Sequence, residues 1–259
     1  MNKARAAGLS IISITDHDTT AGGDAARAAA QVAGIELIPG VEVTAVDSGR
    51  DTHILGYFID TASADLQAFL ERQRADRLRR VTQMRDRLSA LGCPIDTRAI
   101  LDAANRGQSV GRPQIANALL AAGHVQTRDE AFDRFLCASG PAYVPRTGAS
   151  AAAVVKLIHD AGGVASLAHP GPSGRDHLIP TLAANGLDAL EATHSDHDAA
   201  DEARYRRLAA ELGLVVSGGS DFHGETTAHR ASKLGVVTLP ADDFARLRAR
   251  HARRTPNAE

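Results

Sequence analysis

Short apolar, β-branched runs alternate along the chain with Ala-rich amphipathic stretches. The runs fall at 9–15, 35–46, 53–59, 164–168, 189–193, 214–217 and, more weakly, 236–239, and predict strands. The amphipathic stretches at 21–33, 151–161, 178–185 and 198–212 predict helices, two of them followed by Gly34 and Gly213, where helix C-termini favour glycine. Strands alternating with helices imply a mostly parallel sheet with helices packed outside it. The rhythm breaks over 62–148, which holds an Arg-rich helical stretch at 64–91, shorter ones at 114–122 and 128–136, and no strand pattern. This segment reads as a helical insertion, and Pro141, Pro145 and Gly148 mark the return from it. Residues 1–61 and 149–240 are then two parts of one barrel-like α/β domain, and 241–259 is a basic tail, expected to fray over 246–259.

Composition narrows the function. A length of 259 residues suits one barrel-sized domain with an insertion. The net charge of -2 gives no whole-molecule attraction for polyanions, so any affinity for phosphate must be local. Aromatic residues are 3% and Trp is absent, which weighs against a base-stacking platform. Cys93 and Cys137 form no CxxC pair and read as structural thiols of a reducing compartment, which favours the cytoplasm. The apolar run near the N-terminus ends in Asp16-His17-Asp18 and is a strand, not a signal peptide. No stretch reaches a membrane-spanning length.

The chemistry lies in where His and acidic residues fall. Asp16, His17 and Asp18 end the first strand, Glu42 lies in the second, and His53 opens the third. His169 ends the next, His194 follows Glu191-Ala192-Thr193, and Asp221 and His223 follow Ser217-Gly218-Gly219-Ser220. In a parallel barrel the strand ends converge on one face, where such folds place their active sites. A mixed His/Asp/Glu cluster of this size suits Zn, Mn or Fe, and more than one ion. Two ions can polarise a phosphoryl oxygen, acidify a water and stabilise a leaving oxygen, with no protein nucleophile. His124, His159, His177, His197, His229 and His251 read instead as ordinary hydrogen-bonded or solvated histidines.

Thr15-Asp16-His17-Asp18-Thr19, Pro39-Gly40-Val41-Glu42, His53-Ile54-Leu55-Gly56-Tyr57, Ala168-His169-Pro170 and Gly218-Gly219-Ser220-Asp221-Phe222-His223-Gly224 resemble, in this order, the motifs of the PHP (polymerase and histidinol phosphatase) superfamily. The insertion and Gly111-Arg112-Pro113 resemble the branch holding nucleoside 3',5'-bisphosphate phosphatases and the 5'-to-3' exoribonuclease RNase AM. The resemblance implies a distorted (β/α)7 barrel and two or three divalent ions, Mn first, with Mg, Zn or Fe as alternatives. It implies His17, Glu42, His53, His169, Asp221 and His223 as ligands, with Glu42 bridging and acting in catalysis. Asp16 would orient His17, and His194 is the remaining candidate for a catalytic or substrate contact. Arg77, Arg80, Arg112 and Arg146 would bind a second, non-reacting phosphate, since guanidinium forks match phosphate and stay charged. Arg72, Arg74, Arg85 and Arg87 read as a solvated face.

The chain departs from that pattern at two places. The family motif Gly-Arg-Pro-His is here Gly111-Arg112-Pro113-Gln114, so a neutral amide replaces a cationic phosphate contact. PHP proteins also open with a His-x-His strand and a helix ahead of the Thr-Asp-His-Asp motif, whereas only 14 residues precede Thr15. The expectation is that 2–8 is the tail of that helix and that the ligand set of this polypeptide is short. The leading function is therefore metal-dependent hydrolysis of a small nucleotide, a nucleoside 3',5'-bisphosphate, by metal-activated water. The alternatives are a 5'-to-3' exoribonuclease acting at an RNA 5' end, and a truncated or catalytically inactive PHP scaffold. No membrane or protein partner is expected.

Overall fold

The computed structural model describes residues 1–224 and 234–254. His229 and 255–259 lie outside the described residues. In chain order the helices are α1 (Asn2–Ala6), α2 (Gly23–Ala33), α3 (Ala64–Ala90), α4 (Arg98–Asn105), α5 (Arg112–Ala121), α6 (Arg128–Ala131), α7 (Ala151–Asp160), α8 (Pro170–Ser173), α9 (Ile179–Ala184), α10 (Ala199–Glu211) and α11 (Ala241–Arg254). A π-helical turn at Phe132–Leu136 extends α6, and a 3-10 turn at Asp176–Leu178 precedes α9. The chain divides into two compact units.

The first unit comprises Met1–Asp47, Asp51–Gln67 and Ala149–Glu259. Among the described residues six strands, β1 (Ile11–Ile14), β2 (Glu36–Asp47), β3 (Arg50–Tyr57), β4 (Val164–Leu167), β5 (Ala189–His194) and β6 (Val215–Gly219), lie side by side in chain order. β1 runs parallel to β2, and β4, β5 and β6 run parallel to one another. β3 is antiparallel to β4, with Tyr57 opposite Val164, so the sheet is mixed and not uniformly parallel. The cause is local: Ser48 and Gly49, the two residues between β2 and β3, both adopt positive φ (50° and 74°), as a two-residue hairpin turn requires. β4 and β5 are buried at every position, as suits strands covered on both faces. The helices begin and end where their chemistry dictates. The Ser150 hydroxyl accepts Ala153 N–H at the start of α7, Asp198 accepts two amides at the start of α10, and left-handed Gly34 ends α2.

Two expectations for the C-terminal region do not hold. Residues 236–239 form no strand, and α11 occupies Ala241–Arg254, running through the first part of the tail expected to fray from 246. Phe244 and Leu247, three apart, give α11 an inward stripe, and Leu247 is buried. Asp242 and Asp243 in its first turn and Arg253 and Arg254 in its last complement the helix dipole. Its many charges hid that short stripe.

The second unit comprises Ser48–Arg50 and Ala68–Gly148. Its core is Val81, Met84 and Leu88 of α3 with Ile115 and Leu119 of α5 and Leu136, all fully buried. Along α3, Leu66, Leu70, Gln73, Arg77, Val81, Met84 and Leu88 follow one another at helical spacing, and all are buried. Two polar side chains, Gln73 and Arg77, thus occupy positions of an otherwise apolar stripe.

Candidate metal and phosphoester site

Glu42, in the middle of β2 and 4% exposed, is the hub of the first unit's polar cluster. The backbone brings His17 to it: Glu42 N–H donates to the Asp16 carbonyl (3.2 Å) and Asp18 N–H donates to the Glu42 carbonyl (2.8 Å). Asp18, at φ 51°, fixes this loop by accepting Thr44 N–H through Oδ1 (2.8 Å). The reversed direction of β3 explains why His53, in its first half, lies beside His169, which follows the C-terminus of β4. Ile54 pairs with Leu167, and Ala168 N–H donates to the His53 carbonyl (3.0 Å), so His53 and His169 are neighbours.

The side-chain distances suit cation binding. Glu42 Oε1 lies 2.7 Å from His53 Nδ1 and 3.3 Å from His169 Nε2, while Glu42 Oε2 lies 3.5 Å from His17 Nδ1. His53 Nδ1 and His169 Nε2 are 3.2 Å apart. Ligands bound tetrahedrally at the usual Zn–N length are about 3.3 Å from one another, so these spacings match the edges of coordination polyhedra. His17, Glu42 and His53 each offer a ligand atom within 4.8 Å of the others. The two carboxylate oxygens face different imidazoles, an arrangement suited to a bridge.

The remaining site residues flank this centre. Asp221, at φ 48°, lies 3.7 Å from His194 Nε2 through Oδ2 and 3.5 Å from His223 Nδ1 through Oδ1. The rings of His17 and His223 are 5.9 Å apart, and those of His169 and His194 are 5.6 Å apart. His194 is buried, and its Nδ1 accepts Asp196 N–H (3.1 Å), so Nε2 carries the ring proton on the side of Asp221. Asp16 is exposed and joins the cluster through its backbone carbonyl. His124 and His159 make the ordinary hydrogen bonds expected of them, to the Pro94 carbonyl and to Asp188.

Burial by itself would raise the Glu42 carboxyl. The charges of His17 and His53, with hydrogen bonds from His169 and His53, outweigh it and hold Glu42 well below the usual range. Burial opposes charge on His169, but the hydrogen bond and charge of Glu42 prevail and push it up to about 9. Glu191, which the sequence offered only as a strand residue, is also here, 5% exposed and pushed up to about 7 by burial against the opposing charges of His194 and His169. The sequence marks it only as a charge within a predicted strand, and its burial there emerges in the structure.

In the second unit Arg77 and Arg80 are buried and donate to backbone carbonyls, Arg77 to Val110 (3.5 Å) and Arg80 to Val144 through both Nε (3.1 Å) and Nη2 (2.9 Å). Arg112 lies over the Tyr143 ring at 5.7 Å, and Arg146 is buried. Gln114 Oε1 accepts Gly111 N–H (2.9 Å), capping α5. Of the arginines read as solvated, Arg85 pairs with its neighbour Asp86 and Arg87 donates to the Tyr143 carbonyl.

No family model matches the chain. It is 34% identical over 231 residues to a 5'-3' exoribonuclease of Haemophilus influenzae, covering 86% of this chain and 82% of that protein. It is 32% identical to a phosphoribosyl 1,2-cyclic phosphate 1,2-diphosphodiesterase of Eggerthella lenta, with 87% of each covered. Identity to a 3',5'-nucleoside bisphosphate phosphatase of Chromobacterium violaceum is 35%, over 86% of this chain and 80% of that one. Among solved structures, one described as a metal-dependent phosphoesterase from Bifidobacterium adolescentis superposes with a TM-score of 0.85 at 35% identity, over 96% of this chain and 88% of that one. The chain belongs to the family of hydrolytic, metal-dependent phosphoesterases that these proteins represent.

Proposed function

We propose that this enzyme is a PHP-superfamily phosphoesterase, on a distorted (β/α)7 scaffold, that hydrolyses nucleoside 3',5'-bisphosphates. The observation that carries the proposal is the convergence of His17, His53 and His169 on the two oxygens of one buried carboxylate, Glu42. His17, Glu42, His53, His169, Asp221 and His223 would hold two or three divalent ions, Mn first. When bound, such ions supply Lewis acidity toward a phosphoryl oxygen and a water acidic enough to react near neutral pH. Glu42 contributes the negative charge that keeps cations clustered, and His194 presents an Nε2–H as a donor to a phosphoryl oxygen. Asp16 orients the His17 loop through its carbonyl. Arg77, Arg80, Arg112 and Arg146, with Gln114, are assigned to the non-reacting phosphate, and the cytoplasm is the expected location.

Phosphate release from a panel of nucleoside 3',5'-bisphosphates, with Mn, Mg or Zn added to metal-stripped protein, tests the proposal. Turnover that requires both phosphates supports it. Equal turnover of nucleoside monophosphates defeats the assignment of a second phosphate site. The similarity to the Haemophilus influenzae protein favours a second reading, 5'-to-3' exoribonuclease activity. Stepwise shortening of a 5'-phosphorylated, 3'-labelled oligoribonucleotide distinguishes it, because a mononucleotide phosphatase leaves the chain length unchanged.

A further inference from the structure

His169 occupies a backbone conformation that side-chain-bearing residues rarely adopt, with φ 26° and ψ 61°. Pro170 follows at once and opens α8, whose four residues offer little to hold the turn. What holds it comes from β5 and the loop after it. The buried Glu191 carboxylate accepts His169 N–H through Oε2 at 2.7 Å. Two residues further along the turn, Gly171 N–H donates to His197 Nε2 at 3.3 Å. The other nitrogen of His197 donates to the Ala192 carbonyl at 2.9 Å, which fixes the tautomer and leaves Nε2 as the acceptor. The imidazole lies so close that a Cβ on Gly171 would stand 2.9 Å from its Nε2 and Cδ2. Both hydrogen bonds are between backbone amides of one turn and side chains of one neighbouring segment.

We propose that Glu191 and His197 are positioning residues that clamp the His169–Gly171 turn at both ends and so aim the His169 imidazole at Glu42. This rests on the reading of His169 as a metal ligand. A clamp of this kind matters because a residue in a sparsely populated conformation keeps it only while its surroundings over-determine it. Released, the turn would relax and carry Nε2 away from its 3.3 Å approach to Glu42.

The test uses the full chain, stripped of metal, with Zn2+ as the probe in competition with a chromogenic chelator. Metal per chain is counted by elemental analysis, and folding is checked by circular dichroism. Glu191→Ala, His197→Phe and Gly171→Ala are each expected to weaken Zn2+ binding by about tenfold to a hundredfold, as loss of a partner behind a metal ligand does. Glu191→Gln keeps an oxygen that accepts the amide and is expected to recover most of the affinity. His169→Ala is expected to lose one equivalent outright. If folded His197→Phe and Gly171→Ala bind Zn2+ as the wild type does while His169→Ala has lost its equivalent, the clamp is wrong. Glu191→Gln as weak as Glu191→Ala also overturns it, because charge and not the hydrogen bond would then be at work. Unchanged binding by His169→Ala would instead sink the ligand reading itself. Should Glu191→Ala not fold, the two His197-side variants decide the outcome.

Discussion

At the scale of single residues, Glu42 is held toward its carboxylate and His169 toward its imidazolium, each against the effect of burial and in part by its hydrogen bond to the other. On the proposed reading of His169 as a ligand, a cation would take its lone pair and displace that proton. Binding should therefore strengthen as pH rises through about 9, where His169 titrates, and change little above it. Calorimetric titrations with Mn2+ at pH 7.5, in buffers of different ionisation enthalpy, should report proton release. The sign for stability is opposite. The raised His169 value stabilises the metal-free fold fully below the unfolded histidine range of roughly 6.5, and that contribution fades as pH rises through about 9. Thermal melts of metal-free protein should fall over that interval. Replacing Glu42 by Gln removes the charge that holds the imidazoles together and should cut phosphoester hydrolysis by more than about a hundredfold, beyond the usual effect of losing a ligand's supporting partner. The identities of the clustered residues could be read from the sequence because imidazoles and carboxylates recur beside strand ends. Glu191 and His197 could not, since each acts on a backbone amide more than twenty residues away in the chain.

At the scale of elements, glycine appears where two strands press together beside the site. A Cβ at Gly40 would lie 2.3 Å from Ser13 Oγ and 2.8 Å from the Thr15 methyl group, so β1 and β2 approach only because that atom is missing. Gly40→Val should cost about 1–3 kcal/mol by overpacking. It should also weaken metal binding, because Glu42 lies two residues further along the same strand. Denaturant melts with and without metal would separate the two effects. In the insertion, Arg80 and Arg112 should behave differently. Arg80→Ala strands the buried Val144 carbonyl and should lose about 1–3 kcal/mol of stability in addition to raising KM, whereas Arg112→Ala, which leaves that carbonyl bonded, should raise KM with a smaller fall in melting temperature. Strand and helix positions were largely legible from periodicity. The direction of β3 was not, because it depends on a two-residue turn, Ser48-Gly49, that carries no Asn-Gly or Asp-Gly signal.

At the scale of the whole molecule, the two units carry separate apolar cores. Leu119→Ala empties a fully buried position of the second core and should cost about 2–5 kcal/mol there. If the cores unfold in separate steps, far-ultraviolet melts will show two transitions of which only one moves, while a single transition shifting as a whole would show that they unfold together. The insertion was visible in the sequence as a loss of strand rhythm, but which α3 arginines are buried depends on contacts with residues 110 and 144, distant in the chain.

The antiparallel pairing of Ile54 with Leu167 has a kinetic meaning. It closes a loop of roughly 110 residues, and the entropy of closing so long a flexible loop must be met before any contact rewards it. An insertion that has already collapsed onto its own core shortens the floppy path between those ends. Refolding of β4 onto β3 should then wait on the insertion, and Leu119→Ala should slow recovery of metal binding after dilution from urea even though no residue of the cluster around Glu42 has been touched.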